Sequence, residues 1–334
     1  MSLNYFFGID ISKGWLDIAL VKQNRQLLHQ RIENTPAAIK ECFRQLKKQT
    51  GFSWQDSLFC MEHTGIYNHH LMEFLFKKKA PVWLESGLQI KQSLGVQRGK
   101  NDKVDAARIA FYAYKNREDV RLWEPEREVV QKLRRLTTIR SRLVGVIKQL
   151  KTPLQEEAGF KGKRKADGAS LCSGSLKAVE KDLAATQKAI DALIASDQEL
   201  SRLFALVNSV QGVGKVTAVE VILSSNEFKD ITDARKFACY SGVAPFEHRS
   251  GSSVRGKSRV SSLGNKSVKS LLHLAAMAAI GCNQELKAYY QRKVAEGKNK
   301  MLVLNAVRNK LIHRIFACVK QNRKYEKNYQ QALA

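Results

Sequence analysis

Residues 5–21 constrain the fold more than any other stretch. They read Tyr-Phe-Phe-Gly-Ile-Asp-Ile-Ser-Lys-Gly-Trp-Leu-Asp-Ile-Ala-Leu-Val. Two short apolar runs flank Ser12-Lys13-Gly14, a turn signal, so the segment reads as a β-hairpin. Asp10 stands inside the first run. A carboxylate in the middle of an apolar strand is costly unless it is paired or metal-bound. A third strand is expected over residues 27–32. Residues 36–48 then carry helical spacing at Ile39, Cys42, Phe43 and Leu46. A strand over 57–61 runs into Glu62-His63-Thr64-Gly65 and again ends on a carboxylate. A helix over 67–79, a strand over 81–85 and a helix over 101–114 follow. Three strands and then helix, strand, helix, strand, helix is an α/β pattern, a hairpin-built sheet extended by crossovers.

The last of these helices opens with Gly99-Lys100-Asn101-Asp102-Lys103-Val104-Asp105-Ala106-Ala107-Arg108. Asp102 and Asp105, three apart, share one helix face and repel each other unless a cation lies between them. Lys103, Arg98 and Arg108 would serve as ordinary surface partners. The alternative is half of a divalent-metal site, because magnesium takes hard oxygen ligands, one or two carboxylates at a time. Counted together, Asp10, Glu62, Asp102 and Asp105 come from strand ends and from a helix packed on the same sheet. Four such carboxylates suit one or two magnesium ions on a phosphodiester.

Charge supplies the partner. Against 31 acidic residues stand 57 Lys and Arg, a formal net charge of +26 and a pI near 9.9. That surplus favours a polyanion, of which nucleic acid is the commonest. A membrane surface is the rival, but no apolar run approaches the ~20 residues of a span, and no signal-peptide pattern opens the chain. The expectation is a cytoplasmic, nucleoid-associated protein without a membrane partner. The six cysteines share no C-x-x-C spacing and read as small buried hydrophobes, not as zinc ligands or disulfides. The 334 residues give two domains as a first expectation, with room for a smaller third element.

The middle of the chain is expected to be helical. Leu136, Leu143, Ile147, Leu150 and Leu154, and then Leu176, Val179, Leu183, Thr186, Ile190 and Leu193, follow a heptad-like rhythm. This suggests two arms of a coiled coil, or an ordinary helical hairpin. Between them, residues 159–175 hold Lys161-Gly162-Lys163-Arg164-Lys165. This is either a basic loop lying on a nucleic-acid backbone or a solvated charge run. From residue 206, Leu-Val-Asn-Ser-Val-Gln-Gly-Val-Gly-Lys-Val-Thr-Ala resembles a helix-hairpin-helix element. There Gly212, Gly214 and Lys215 would meet a phosphate; a plain turn between packed helices is the other reading. It is not a P-loop, whose spacing is absent.

Residues 249–270 contain six basic residues and no acidic one. Gly and Ser there permit close backbone approach. Arg249, Arg255 and Arg259, with Lys257, suit phosphate oxygens. A flexible basic loop is one reading. The other is a serine nucleophile among cations, which stabilise an alkoxide and the transition state. Composition does not choose among Ser250, Ser252 and Ser253.

Gly8-Ile9-Asp10-Ile11-Ser12, Glu62-His63-Thr64-Gly65-Ile66-Tyr67 and Asn101-Asp102-Lys103-Val104-Asp105-Ala106 resemble the D, E and D-x-x-D motifs of the DEDD transposases of the insertion-sequence-110 family, which includes the Piv-type DNA invertases. His63 stands where a small residue is more usual, and Asn101 where Thr is expected. Ala238-Cys239-Tyr240-Ser241-Gly242-Val243-Ala244-Pro245 with Ser250-Gly251-Ser252-Ser253-Val254-Arg255-Gly256 resembles the family's C-terminal domain. The resemblance implies an α/β ribonuclease-H-like (RuvC-like) metal-binding domain at 1–123. It further implies coiled-coil arms at 124–200 and a mostly α transposase domain with a helix-hairpin-helix-like element at 201–334. It makes Asp10, Glu62, Asp102 and Asp105 the Mg2+ ligands and Ser250 the nucleophile. It implies strand exchange on donor and target double-stranded DNA by a dimer or tetramer with composite active sites, guided by a structured noncoding RNA. Piv-like site-specific inversion is one alternative outcome. A magnesium nuclease or junction resolvase without a covalent intermediate is another, and a non-catalytic nucleic-acid-binding protein a third. An actin-like ATPase shares the N-terminal strand pattern but lacks its phosphate loops here. If the basic segments contact phosphates, DNA affinity falls by about 10³-fold or more between 50 and 200 mM salt, as expected for six or more neutralised phosphates. Fluorescence anisotropy with a labelled duplex measures this, and a flat salt profile would remove those segments as contacts.

Overall fold

The computed structural model describes all residues except 1–2, 64, 94–100, 162–166, 251–253 and 327–334. The chain divides into two compact units, Met1–Pro125 and Glu126–Ala334.

In the first unit, β1 (Tyr5–Ile11), β2 (Trp15–Lys22) and β3 (Arg25–Glu33) form an antiparallel meander. Helix α1 (Pro36–Thr50) then carries the chain back. Thr35 caps it by accepting from the Ala38 amide, Pro36 opens it, and Gly51 closes it in the left-handed region. β4 (Ser57–Glu62) joins β1 in parallel. After a 3-10 turn and α2 (His69–Lys77), β5 (Val82–Glu85) joins β4 in parallel. The order β3-β2-β1-β4-β5 is the ribonuclease-H-type sheet expected. A short helix absent from the sequence reading, α3 (Gly87–Ser93), precedes α4 (Asp102–Lys115).

Strand alternation divides the sheet into two faces. Phe7, Ile9, Leu16, Ile18 and Phe59 pack with Phe43 of α1 and Leu71 and Leu75 of α2, and Phe7 stacks on Phe59 at 4.7 Å. The opposite face, under α4, changes character row by row. Val21, Phe6 and Leu58 lie abreast, then Ala19, Gly8 and Cys60. Asp17 and Asp10 come next, with Arg31 beside Asp17 and Glu62 beside Glu85. Ile9 pairs with Met61, so Asp10 and Glu62, each the next residue, end abreast. One face is thus apolar, then small, then charged.

The small row lets α4 settle on β1. A Cβ on Gly8 would overlap the Ala106 carbonyl oxygen and the Ala110 amide nitrogen, and would stand 2.7 Å from Ala110 Cα. Ala106, Ala110 and Ala113, all buried, give the helix a matching flat side.

The second unit is helical apart from one ribbon. Helices α5 (Glu128–Lys161) and α6 (Asp167–Ser196) run antiparallel, joined by Arg140 Nε donating to Gln187 Oε1 at 2.8 Å and by the Lys151–Glu180 ion pair. Their bases, through Val130, Leu133, Ile190 and Ile194, share one core with the remaining helices. These are α7 (Gln198–Asn208), α8 (Lys215–Ser224), α9 (Ala234–Tyr240), α10 (Lys266–Cys282), α11 (Gln284–Ala295) and α12 (Lys300–Lys320). The expected boundary at 200/201 therefore falls inside a continuous core. Farther along the arms, Leu143, Ile147, Leu150 and Leu154 of α5 and Leu176, Val179 and Leu183 of α6 are half-buried.

An ionic clamp fixes the base of α5. Arg127 donates to both carboxylate oxygens of Asp197, at 2.8 and 2.9 Å, and also binds Glu227. The Glu227 side chain is fully buried. Burial pushes its carboxyl upward, and Arg127 and Lys229 more than reverse this. Arg127 holds Asp197, which also caps α7, down at about 2. Asn226, Glu227 and Phe228 all have positive φ, a strained run for non-glycine residues that the buried ion pairs hold in place.

Residues read as a basic loop form instead a β-ribbon, β6 (Pro245–Ser250) against β7 (Val254–Val260). Main-chain pairing needs no apolar alternation, so composition concealed it. The cysteines also depart from expectation: Cys42, Cys60 and Cys318 are buried, but Cys239 and Cys282 are exposed. Among the described residues no helix is long and apolar enough to cross a membrane.

Gly8→Val is expected to destabilise the first unit by about 1–3 kcal/mol or more, because the added atoms meet backbone that cannot rotate away. Gly14→Ala, where a Cβ meets nothing, is expected to change stability by less than about 1 kcal/mol. Chemical denaturation of both variants measures the contrast, and equal stabilities would show that α4 does not depend on Gly8.

Candidate metal centre at the sheet edge

The charged row ends the sheet face beneath the start of α4. Asn101 begins that helix, its side chain accepting from the Lys103 amide at 3.0 Å. Asn thus performs the capping that Thr would perform there. Asp102 and Asp105 occupy the first turn, where the exposed amides favour negative charge. Because α4 rests on Gly8, two residues before Asp10, this turn stands over the carboxylates of the sheet. On the other side, Gly87 makes room for Glu62: a Cβ there would come within 2.7 Å of Glu62 Cδ. Asn68 donates to the Glu62 carbonyl at 3.0 Å and anchors that strand end.

The four sequence-predicted acids do converge. Asp10 is pushed up to about 6, first by burial and then by Asp102, Asp105, Glu62 and Asp17. Three of its neighbours have basic partners. Asp105 takes Arg108 at 2.8 Å and Asp102 takes Arg31 at 3.6 Å. Asp17 takes His29 at 2.8 Å and Arg31 at 3.7 Å. No ion pair to Asp10 occurs among the described residues. The donor set is all carboxylate oxygen, the chemistry of a hard divalent cation. It is not drawn into a tight cage: among the described residues no group of three His, Cys, Asp or Glu side chains is close enough to hold a metal.

Sequence reasoning missed the support around these acids. Asp17 lies in an apolar run just as Asp10 does, and that shared signal would have found it. Arg31 and His29 sit on a polar edge strand with no pattern to mark them. Glu85, hydrogen-bonded by the Tyr112 hydroxyl at 3.1 Å, extends the acidic row to β5.

The second unit carries the other predicted residues. Ser250 is the last residue of β6 and pairs with Val254, and Arg249 pairs with Arg255; the side chains of these four, and of Lys257, lie outside the described residues. So do Ser252, Ser253 and Lys163, Arg164 and Lys165. Arg259 is exposed on β7. Gly212 has φ +91°, and a Cβ there would approach Ala279 Cβ of α10 to 2.5 Å, so packing alone accounts for it. Gly214 is exposed, and a Cβ there meets nothing. Lys215, exposed beside it, pairs with Asp191 at 3.4 Å.

Two family models match, one described as a DEDD insertion-sequence-110 transposase, over residues 7–156, the other as the transposase IS116/IS110/IS902 family, over 205–291. With the fold and the acidic row, they define a DNA recombinase of the transposase class. The chain belongs to the insertion-sequence-110 family of DEDD transposases. Its relatives include the pilin gene-inverting proteins of Moraxella bovis and Moraxella lacunata. The first is 25% identical over 83% of this chain and 80% of its own length. The second is 24% identical over 96% and 98%. A 43.6 kDa protein of insertion element IS110 from Streptomyces coelicolor is 30% identical over 47% of this chain and 37% of its own. Thermus thermophilus RuvC bound to a Holliday junction substrate aligns with 35% of this chain and 96% of its own, at 13% identity and a TM-score of 0.29.

In metal-free buffer, Asp10→Asn is expected to raise stability. A two-unit rise in pKa would set an upper limit of about 3 kcal/mol, and partial exposure reduces this to about 1 kcal/mol. Thermal unfolding in chelator compares the two proteins; a clear loss of stability would mean that Asp10 holds the fold together instead.

Proposed function

We propose that the chain cuts and rejoins double-stranded DNA by serine-mediated transesterification. Asp10, Glu62, Asp102 and Asp105 would hold Mg2+ against the scissile phosphate. The observation that carries this reading is Asp10: half-buried, surrounded by carboxylates and, among the described residues, without an ion-pair partner, in a chain of net charge +26. Bound there, the metal supplies a Lewis acid for a phosphoryl oxygen.

The protein's own groups do the rest. The Ser250 Oγ attacks phosphorus and loses its proton. The bond from phosphorus to the leaving sugar oxygen breaks, and that oxygen takes up a proton. The phosphoserine ester keeps the bond energy, so the exchanged strand's hydroxyl reverses the step without ATP. Arg249, Arg255, Lys257 and Arg259 are read as the cations that would stabilise the attacking serine and the transition state. Lys163, Arg164 and Lys165, with Gly212, Gly214 and Lys215, are read as backbone contacts. The organisation that goes with this is a metal-binding domain over 1–123, coiled-coil arms over 124–200 and a serine-bearing domain over 201–334 with its helix-hairpin-helix-like turn. The protein would work as a dimer or tetramer on the nucleoid with composite active sites, and a structured noncoding RNA would select donor and target.

A second outcome is inversion of a fixed segment, favoured by the near full-length match to pilin gene-inverting proteins. The same residues serve both outcomes.

The test uses the full chain expressed with its native flanking DNA. Asp10→Ala is expected to abolish strand cleavage while leaving bulk DNA binding within about threefold. Ser250→Ala is expected to eliminate any covalent protein–DNA adduct on denaturing gels. Cleavage by Asp10→Ala would remove the metal site. Cleavage without an adduct in the wild type would establish a magnesium nuclease, and an adduct in Ser250→Ala mapping to Ser252 would move the nucleophile. Sequencing of co-purified RNA tests guidance: one enriched structured RNA from a flank supports it, and random cellular RNA points to the inversion reading.

A further inference from the structure

β2 has one anomalous residue. From Leu16 to Val21 every side chain is buried, yet Trp15, the first residue of the strand, is 45% exposed. By alternation Trp15 shares its face with Asp17, so it lies on the α4 side, one row outward from the charged row. That places it about 7 Å along the strand from Asp17, which pairs directly with Asp10. A tryptophan at the open edge of a carboxylate site is costly in water and contributes nothing to the core.

Arg31 connects this ring to the site. Its guanidinium stands 5.3 Å from the Trp15 ring centroid and also reaches Asp17 and Asp102, at 3.7 and 3.6 Å. Trp15 and Arg31 thus form one flat, half-exposed cationic and aromatic surface. It is built on paired strands, not on a loop, and it lies beside carboxylates that would grip a phosphodiester.

We infer that Trp15, backed by Arg31, is a stacking platform for an unpaired nucleobase next to the scissile phosphate. The inference rests on the proposed cleavage at Asp10, Glu62, Asp102 and Asp105. Three observations select a nucleobase as the occupant. The surface joins a π-face to a fixed positive charge, the combination that binds bases without sequence preference. It lies on the same sheet face as the carboxylates. The chain's surplus of positive charge draws a polyanion to it. A strand that is to be exchanged must leave its duplex, and a platform there lowers the cost of unstacking one base. Trp15 touches a neighbouring base, not the reacting atoms, so it positions the strand.

The probe is a duplex with a two-nucleotide unpaired bubble carrying 2-aminopurine, set against the fully paired duplex, with full-length protein. Wild type is expected to quench the 2-aminopurine and to prefer the bubble. Trp15→Ala is expected to lose the quench and about 5- to 150-fold of bubble affinity, the range for one stacked base, with duplex affinity and melting temperature unchanged. Trp15→Phe restores most of the preference. In strand cleavage of native flanking DNA, Trp15→Ala slows cutting, and a mismatch at the cut site rescues it. Asp10→Ala keeps the bubble preference and loses cleavage, which separates the two ideas. If wild type stacks the base but never cleaves, the cleavage reading fails and this use of the platform fails with it. If Trp15→Ala cleaves normally with an unchanged bubble preference, the platform is wrong and the cleavage reading stands. An unfolded Trp15→Ala would show that the ring serves the core, and would also overturn the inference.

Discussion

The structure of the first unit depends on how closely α4 approaches β1. Here the sheet face under α4 thins from Phe6 to Gly8, flanked by Ala19 and Cys60, and Ala106 and Ala110 press on the bare glycine backbone. The approach is local, centred two residues before Asp10. It brings the first turn of α4, with Asp102 and Asp105, down over the sheet where the side chains turn from apolar to charged. The core and the site are therefore one piece of geometry, since the packing that seats α4 also gathers the carboxylates.

The acids then differ in their partners. Asp17 and Asp10 are cross-strand partners on one face, an arrangement that repels. Asp17 is satisfied by His29 and Arg31, and it fixes Arg31 against Asp102. Asp10 has no ion-pair partner among the described residues; burial first, and then the field of the surrounding carboxylates, pushes its carboxyl up to about 6. A fold selected for stability alone would place a cation or a neutral residue there. The deficit falls on a strand residue held between rigid elements, beside the first turn of α4.

Much of this was legible in the chain. The hairpin, the α/β alternation and the four acids follow from period, turn residues and charges placed in apolar runs, because those signals are local. What escaped is non-local. Nothing near Arg31 or His29 marks them as partners of Asp17. Gly8 reads as part of a motif, but its reason, the Ala106–Ala110 backbone, lies a hundred residues away. Helix α3 is only seven residues long, below the length at which periodicity speaks. The ribbon at Ser250 was hidden because Gly- and Ser-rich sequence forms strands only where a partner strand supplies the hydrogen bonds. The clamp of Arg127 with Asp197 and Glu227 joins three segments that no spacing relates.

The two units hold the candidate residues on unlike supports. The carboxylates stand on a five-stranded sheet and a capped helix, elements that hold a side chain to a fraction of an ångström. Ser250 stands at the far end of a two-stranded ribbon, and such a pair is marginal by itself. Its base is secured. Gly242, in the left-handed region at φ +64°, packs against Gly264, and a Cβ there would meet Gly264 Cα at 3.2 Å. Asn305 donates to the Val243 carbonyl at 2.8 Å. Beyond that base, Phe246 is half exposed. For the proposed strand exchange this contrast matters, because a serine joined to a strand would have to return it to a new hydroxyl while the carboxylates stay fixed.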